Sequence, residues 1–173
     1  MIRSVLSAPD PRLRDTSSPV TSIDKEIKTL IQDMLDTMYN FQGCGLAAPQ
    51  IGIHKRVVVM DLESGEDNLP KDPRAFINPE ILKASPEMVR FRDGCLSVPG
   101  EIYEYVERPQ EILFRYQDEN GKSHEVHAQG LLAKCIHHEV DHLNGILFID
   151  YLSRVKREQV NNRLKKYHSS VRW

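Results

Sequence analysis

Leu131-Leu132-Ala133-Lys134-Cys135-Ile136-His137-His138-Glu139-Val140-Asp141-His142-Leu143 decides how this chain is read. Leu131, Leu132, Cys135, Ile136 and Leu143 recur at helical spacing after Gly130, and Asn144-Gly145 supplies a carboxyl-terminal stop. Because most of its circumference is apolar, the helix is predicted to lie buried against a sheet. His138 and His142 then sit one turn apart on one face, with Glu139 beside them. Two neutral imidazoles at that spacing can share a divalent ion, while the glutamate, too short to join them comfortably, is left to handle a proton of the attacking water. The plainer reading is a surface helix with His-Glu and His-Asp neighbours. Burial weighs against it, since unpaired imidazoles and a carboxylate in an apolar setting are costly unless a metal or hydrogen bonds satisfy them.

Outward from this helix, the chain reads as short extended runs. Val57-Val58-Val59-Met60 is β-branched and bounded by Gly52 and by a loop from Gly65 to Pro70. Ala75-Phe76-Ile77 and Ile81-Leu82 flank Asn78-Pro79, and Met88 to Phe91 is again short. Ile102 to Val106, Glu111 to Tyr116 and Ser123 to His127 continue the pattern, with Asp118-Glu119-Asn120-Gly121 as a hairpin turn between the last two. An amphipathic helix is predicted from Ser22 to about Tyr39, with Thr21 or Ser22 as its cap; Ile23, Ile27, Leu30, Ile31, Met34, Leu35 and Met38 form its apolar face. A basic helix is predicted from Ser153 to about His168. The expected fold is α+β: short, mostly antiparallel strands packed around a central metal-binding helix, with amino-terminal and carboxyl-terminal helices.

With 173 residues, 40% of them hydrophobic and 28% charged, one compact catalytic domain over 1–173 is expected. The start of the chain, Met1 to Pro9, has no apolar run of signal-peptide length, and nothing approaches the ~20 apolar residues of a membrane span. A cytoplasmic protein, monomeric, is the expectation. Cys44, Cys95 and Cys135 are odd in number and widely spaced, which argues against a disulfide framework and fits a reducing compartment. The net charge of -2 conceals an asymmetry. Residues 153–173 carry Arg154, Lys156, Arg157, Arg163, Lys165, Lys166 and Arg172 against Glu158 alone, +6 in all, so the rest carries -8. Such a segment is either a solvated helix face or a contact for a polyanion such as ribosomal RNA.

A catalytic metal needs a third protein ligand and an open position. The pattern H-E-x-x-H-x-x-G-x-x-H finds Gly145 but meets Phe148 where its last histidine belongs, and Glu158 lies on the basic helix with nothing apolar to bring it inward. Cys95, in Asp93-Gly94-Cys95-Leu96-Ser97, is the better donor, with Gly94 letting the backbone turn sharply beside it; on spacing alone it reads more readily as a small buried hydrophobe than as a ligand.

Three blocks in order, Gly43-Cys44-Gly45-Leu46-Ala47-Ala48-Pro49-Gln50, Asp93 to Ser97 and His137 to His142, resemble the signature motifs of bacterial peptide deformylases of the iron-dependent type 1 kind. Pro9-Asp10-Pro11-Arg12-Leu13-Arg14 and Leu147-Phe148-Ile149-Asp150-Tyr151-Leu152 extend the likeness over nearly the whole chain. The resemblance implies ligation by Cys95, His138 and His142, with Fe2+ as the usual metal and Zn2+, Ni2+ or Co2+ as replacements. One thiolate and two imidazoles would leave a +1 site. It further implies Glu139 as general acid-base, Gln50 and the backbone N–H of Leu96 as oxyanion donors, and Gly43 and Gly45 flanking a strand-like contact of the peptide with residues 44–46. Cys44, Leu131, Cys135 and His138 would border the methionine slot. Outside that resemblance, Gln50 reads as an ordinary loop amide and the slot residues as packing. The implied reaction removes the N-formyl group from the formylmethionine of new polypeptides, with ribosome docking by the basic helix. The other readings are a zinc endopeptidase and an inactive, structural metal protein that docks on ribosomes.

Four positions depart from the family pattern. Asp93 stands for a glutamate, with Arg108 where its arginine partner falls; His137 stands for a glutamine; Cys44 replaces a branched aliphatic residue; and Lys134 occupies a position often apolar at the pocket wall. Lys134 predicts looser discrimination beyond methionine. His137 is expected at the surface or behind the ligands, not as a fourth ligand, because neighbouring helix positions point ~100° apart.

Overall fold

In a computed structural model the described residues are 1–63 and 68–171, so that Gly65 and Arg172 lie outside them. Helices α1 (Lys25–Asn40), α2 (Gly130–Leu143) and α3 (Arg154–Ser170) accompany strands β1 (Gly45–Ala47), β2 (Val57–Met60), β3 (Arg74–Ala84), β4 (Met88–Asp93), β5 (Glu104–Pro109), β6 (Glu111–Gln117) and β7 (Ser123–Gln129). One sheet has the order β1-β2-β3-β6-β7; β4 and β5 form a separate two-stranded ribbon, and every pairing between these strands is antiparallel.

The sheet is covered on both faces, which explains why β2 is apolar without alternation. Val58 and Met60 join Ala47, Phe76, Ile112, Phe114, Ala133, Ile136, Val140 and Leu143 under α2, whereas Val57 and Val59 join Ile27, Leu30, Ile31, Met34 and Met38 of α1. Each fully buried aliphatic of this kind contributes about 1.5–3 kcal/mol before entropy is counted. A third cluster, with Val98, Ile102, Val106, Phe148, Val160 and Leu164, seats α3 and the ribbon.

Helix α1 begins later than its sequence implies. Asp24, not Thr21 or Ser22, caps it, its carboxylate accepting from the Ile27 amide at 3.0 Å. The extended run from Ile102 starts as strand only at Glu104 and continues to Pro109. The two runs around Asn78-Pro79 are one strand, not two short ones. Asn78 adopts φ 51°, and the β3–β6 register shifts between Ile77 and Glu80, so a bulge absorbs the proline that would break an ordinary ladder. The Asn78 side chain secures the bulge by accepting from the Val20 amide at 2.7 Å and donating to Val20 O and Gln117 Oε1, both at 2.8 Å.

Candidate metal centre and active site

The last two turns of α2 and the loop after β4 meet. Donor atoms of Cys95, His138 and His142 all lie within 4.8 Å of one another, with Cys95 Sγ 3.2 Å from His142 Nε2. The His138 and His142 rings stand edge to face, centroids 5.0 Å apart. Gly94 does not have a left-handed backbone; its need is space, since a Cβ there would come within 2.6 Å of the Tyr103 ring. Glu139 is buried beside the donors, and its Oε2 has no hydrogen-bond partner among the described residues. Burial pushes its carboxyl up to about 7, only partly offset by the His138 and Arg108 charges.

These residues fit a divalent cation. Burial drives His142 well below the ordinary histidine range, so it stays neutral as a ligand must. Burial acts the same way on His138, but its hydrogen bonds to Asp93 and Cys95 outweigh it and raise that pKa. Surroundings negative enough to hold a proton on His138 suit a cation in its place. His138 Nδ1 is 3.0 Å from Asp93 Oδ1, which fixes the ring with Nε2 facing the other donors. His142 Nδ1, by contrast, meets no partner among the described residues.

Behind the donors lies a buried polar network. Arg108, with 0% exposure, donates from Nε and Nη2 to Asp93 Oδ2 at 3.0 and 2.7 Å, and from Nη1 to Asp141 Oδ2 at 3.2 Å. The Tyr151 hydroxyl donates to the same Asp141 oxygen at 2.7 Å. Burial works against ionisation of Asp93, but the hydrogen bond from His138 and the neighbouring charges overcome it and hold the carboxyl below its usual range. Asp93 thus reaches both the arginine and the histidine despite being the shorter acid. His137 is not a fourth ligand: its Nδ1 accepts from Arg108 Nη1 at 2.7 Å, and burial lowers its pKa.

On the opposite side of the donors, Gln50 is held in the short helical turn after β1. Its Oε1 accepts from the Ala47 amide at 2.9 Å; its Nε2 donates to Ser97 Oγ at 3.0 Å and approaches Cys95 Sγ at 3.5 Å. At Gly45 strand β1 passes close to α2, for a Cβ there would lie 2.7 Å from Glu139 Oε1. Strand β1 is an edge of its sheet. The Cys44 carbonyl bonds the Asp61 amide on the β2 side, so by the alternation of antiparallel ladders Gly45 turns its N–H and C=O away from β2.

A cavity of about 680 Å³ opens over this site. Of the residues the sequence nominates, Gly43, Cys44, Gly45, Gln50, Cys95, Leu96, Leu131, Cys135, His138 and Glu139 line it; His142 lies behind them. Lys134 does not line it. Its ammonium sits 5.4 Å from the centroid of the Phe91 ring, and Phe91 is the residue at the cavity wall. Sequence reasoning missed Tyr103 just before β5 and Tyr167 on α3, both at the cavity, and Ser97, which steadies Gln50. Phe148, which fills the place of a protease's third histidine, is buried with its ring stacked on His138. Glu158 is exposed and pairs with Arg154.

Three converging donors, an adjacent buried carboxylate and a cavity beside an edge strand are the makings of a metal-dependent hydrolase. Residues 2–158 match the family model described as polypeptide deformylase. A peptide deformylase of Rhizorhabdus wittichii is 54% identical over 168 residues, 95% of this chain and 94% of that protein, and one of Stutzerimonas stutzeri is 51% identical over 167 residues, 96% of each. The crystal structure of a peptide deformylase from Legionella pneumophila superposes with a TM-score of 0.90 at 42% identity, covering 98% of this chain and 96% of the other. That of the Ehrlichia chaffeensis peptide deformylase in complex with actinonin gives 0.88 at 43% identity, covering 96% and 97%. The chain belongs to the polypeptide deformylase family, metal-dependent hydrolases that remove the N-formyl group from newly made polypeptides.

Proposed function

We propose that the whole chain acts as one cytoplasmic catalytic domain in which Cys95, His138 and His142 hold the metal, Fe2+ in the cell with Zn2+, Ni2+ or Co2+ as replacements. The bound cation would supply Lewis acidity, polarising the formyl carbonyl and acidifying the attacking water. Glu139 accepts a proton from that water as its oxygen attacks the formyl carbon, and returns it to the departing amine. Formate and a free amino-terminal methionine result. Gln50 Nε2 and the Leu96 N–H stabilise the negative charge that grows on the formyl oxygen. The peptide lies along β1 by strand addition to the open edge at Gly45, and its methionine enters the slot bordered by Cys44, Leu131, Cys135 and His138.

The observation that carries this reading is the convergence of the three donors within 4.8 Å beside a buried carboxylate whose Oε2 is left to act on water. A structural metal site would need neither Glu139 nor Gln50. The test is formate release from formyl-Met-Ala-Ser by anaerobically prepared, iron-loaded protein, beside Glu139→Ala with the same metal load. Loss of roughly 10²–10⁴-fold in the variant is expected. Equal rates would remove Glu139 from the reaction, and cleavage of an unformylated internal peptide bond would favour an endopeptidase.

A further inference from the structure

We infer that Cys44 and Cys135 form a peroxide-sensitive pair that closes to a disulfide inside the substrate cavity and reversibly blocks it. The inference rests on the reading of this cavity as the substrate site. Both thiols line the cavity, Cys44 exposed and Cys135 buried in its wall, and they lie close enough for each to shift the other's pKa. Strand β1 packs on α2 beside the two cysteines. Gly45, next to Cys44, all but touches Glu139, which stands one turn after Cys135 on α2. Neither cysteine belongs to the donor set; that thiol is Cys95.

The pair is chemically asymmetric in the manner of a nucleophile and its resolving partner. Interaction with Cys135 lowers the Cys44 pKa and favours its thiolate; the same interaction, reinforced by burial, raises that of Cys135. In a reducing compartment such a bond is transient, which suits a sensor and not a structural staple.

The chemistry needs one equivalent of hydrogen peroxide. The Cys44 thiolate attacks peroxide, breaking its O–O bond to give a sulfenic acid and hydroxide. The Cys135 sulfur then attacks the Cys44 sulfur, and its proton leaves with the sulfenic hydroxyl as water. Two thiols and one peroxide thus become one disulfide and two waters. Bond formation brings the sulfurs to about 2.05 Å, drawing the mouth of the methionine slot onto its wall. A thiol reductant reverses the bond by exchange.

The test uses nickel-loaded protein, so that iron oxidation plays no part, treated with one equivalent of peroxide and mapped by mass spectrometry of non-reduced peptides. The expected result is a peptide pair joined through Cys44 and Cys135, two hydrogens lighter than the free thiols, with nickel retained. Formate release should fall roughly tenfold or more and return with dithiothreitol. Cys44→Ser, compared only with its own untreated rate, should keep that rate under the same dose. Cys135→Ser serves equally should the first variant fold poorly. Oxidation found at Cys95 with Cys44 and Cys135 still free, or equal fractional losses in wild type and both variants, would overturn the inference. Untreated wild type that folds, holds nickel and releases no formate would instead count against the substrate reading, while the mapping still decides the bond.

Discussion

At the scale of single residues, the proposed metal and acid-base set is legible in His138-Glu139-Val140-Asp141-His142, whereas its support is not. Asp93 stands 45 residues from His138 in sequence, and only the pairing of β4 with β5 and the packing of the ribbon on α2 bring it within 3.0 Å of His138 Nδ1. Arg108 Nη2 also lies 3.4 Å from that nitrogen, but an Nδ1–H that donates to a carboxylate cannot accept from a guanidinium, so Asp93 is its partner. Asp93→Asn is therefore expected to weaken metal binding by roughly 10–100-fold, read by competition with a chromogenic chelator. A retained affinity would mean that packing alone orients the ring. Gly45 is legible only as a place of close backbone approach; the structure shows that what comes close is Glu139. Its backbone is not left-handed, so alanine fits the chain but collides with the carboxylate. Gly45→Ala should lower kcat by roughly 10² while metal content stays full, since displacing an acid-base group by about 1 Å costs that much.

At the scale of elements, the helices were readable from their period and the strands from their β-branched runs, but the junctions were decided by side chains bonding across the fold. Asn78-Pro79 looks like a break between two strands. It is a bulge within one, because Asn78 accepts a positive φ and spends its amide on Val20 and Gln117. Asn78→Ala should cost about 2–3 kcal/mol in urea unfolding, combining backbone strain with the loss of three half-buried hydrogen bonds; Asn78→Gly removes the strain and should recover part of it. The end of β2 is tied to α1 in a similar way. Asp61 accepts from the Tyr39 hydroxyl at 2.5 Å and from the Glu63 and Asp72 amides at 3.0 and 3.1 Å. Burial opposes its ionisation, yet these donors hold its pKa below the usual value. A depressed carboxyl binds fewer protons in the folded state than in the unfolded one. Its contribution is thus complete above about pH 4, where the unfolded group ionises, and is lost as pH falls through the folded value. The stability gap between wild type and Asp61→Asn should then narrow below pH 4 and stay constant from pH 6 to 8; a gap indifferent to pH in the acid range would show that Asp61 is not the titrating group.

For the molecule as a whole, the charge asymmetry was visible in composition, but which side of α3 is committed to the fold was not. Only Val160 and Leu164 are buried along α3, yet they complete the core cluster shared with Val98, Ile102 and Phe148, and Tyr167 reaches the cavity. Removing the helix would therefore damage core and active site together, and deletion cannot separate docking from catalysis. Charge can be removed without that damage. Lys156 pairs with Glu104 and Arg154 with Glu158, while Arg157, Lys165 and Lys166 are exposed and make no ion pair among the described residues. Those three are unspent charge facing solvent, with no effect on the core to confuse the outcome. If α3 docks the enzyme on ribosomal RNA, replacing all three by glutamine should weaken ribosome association in co-sedimentation and flatten the dependence of log K on log salt by about 2–3, one released counterion for nearly every charge removed. Turnover of formyl-Met-Ala-Ser should be unchanged, because none of the three lines the cavity. An unaltered salt slope would make this face a solvating surface only, and encounter with the nascent chain would then rest on diffusion to the open edge of β1.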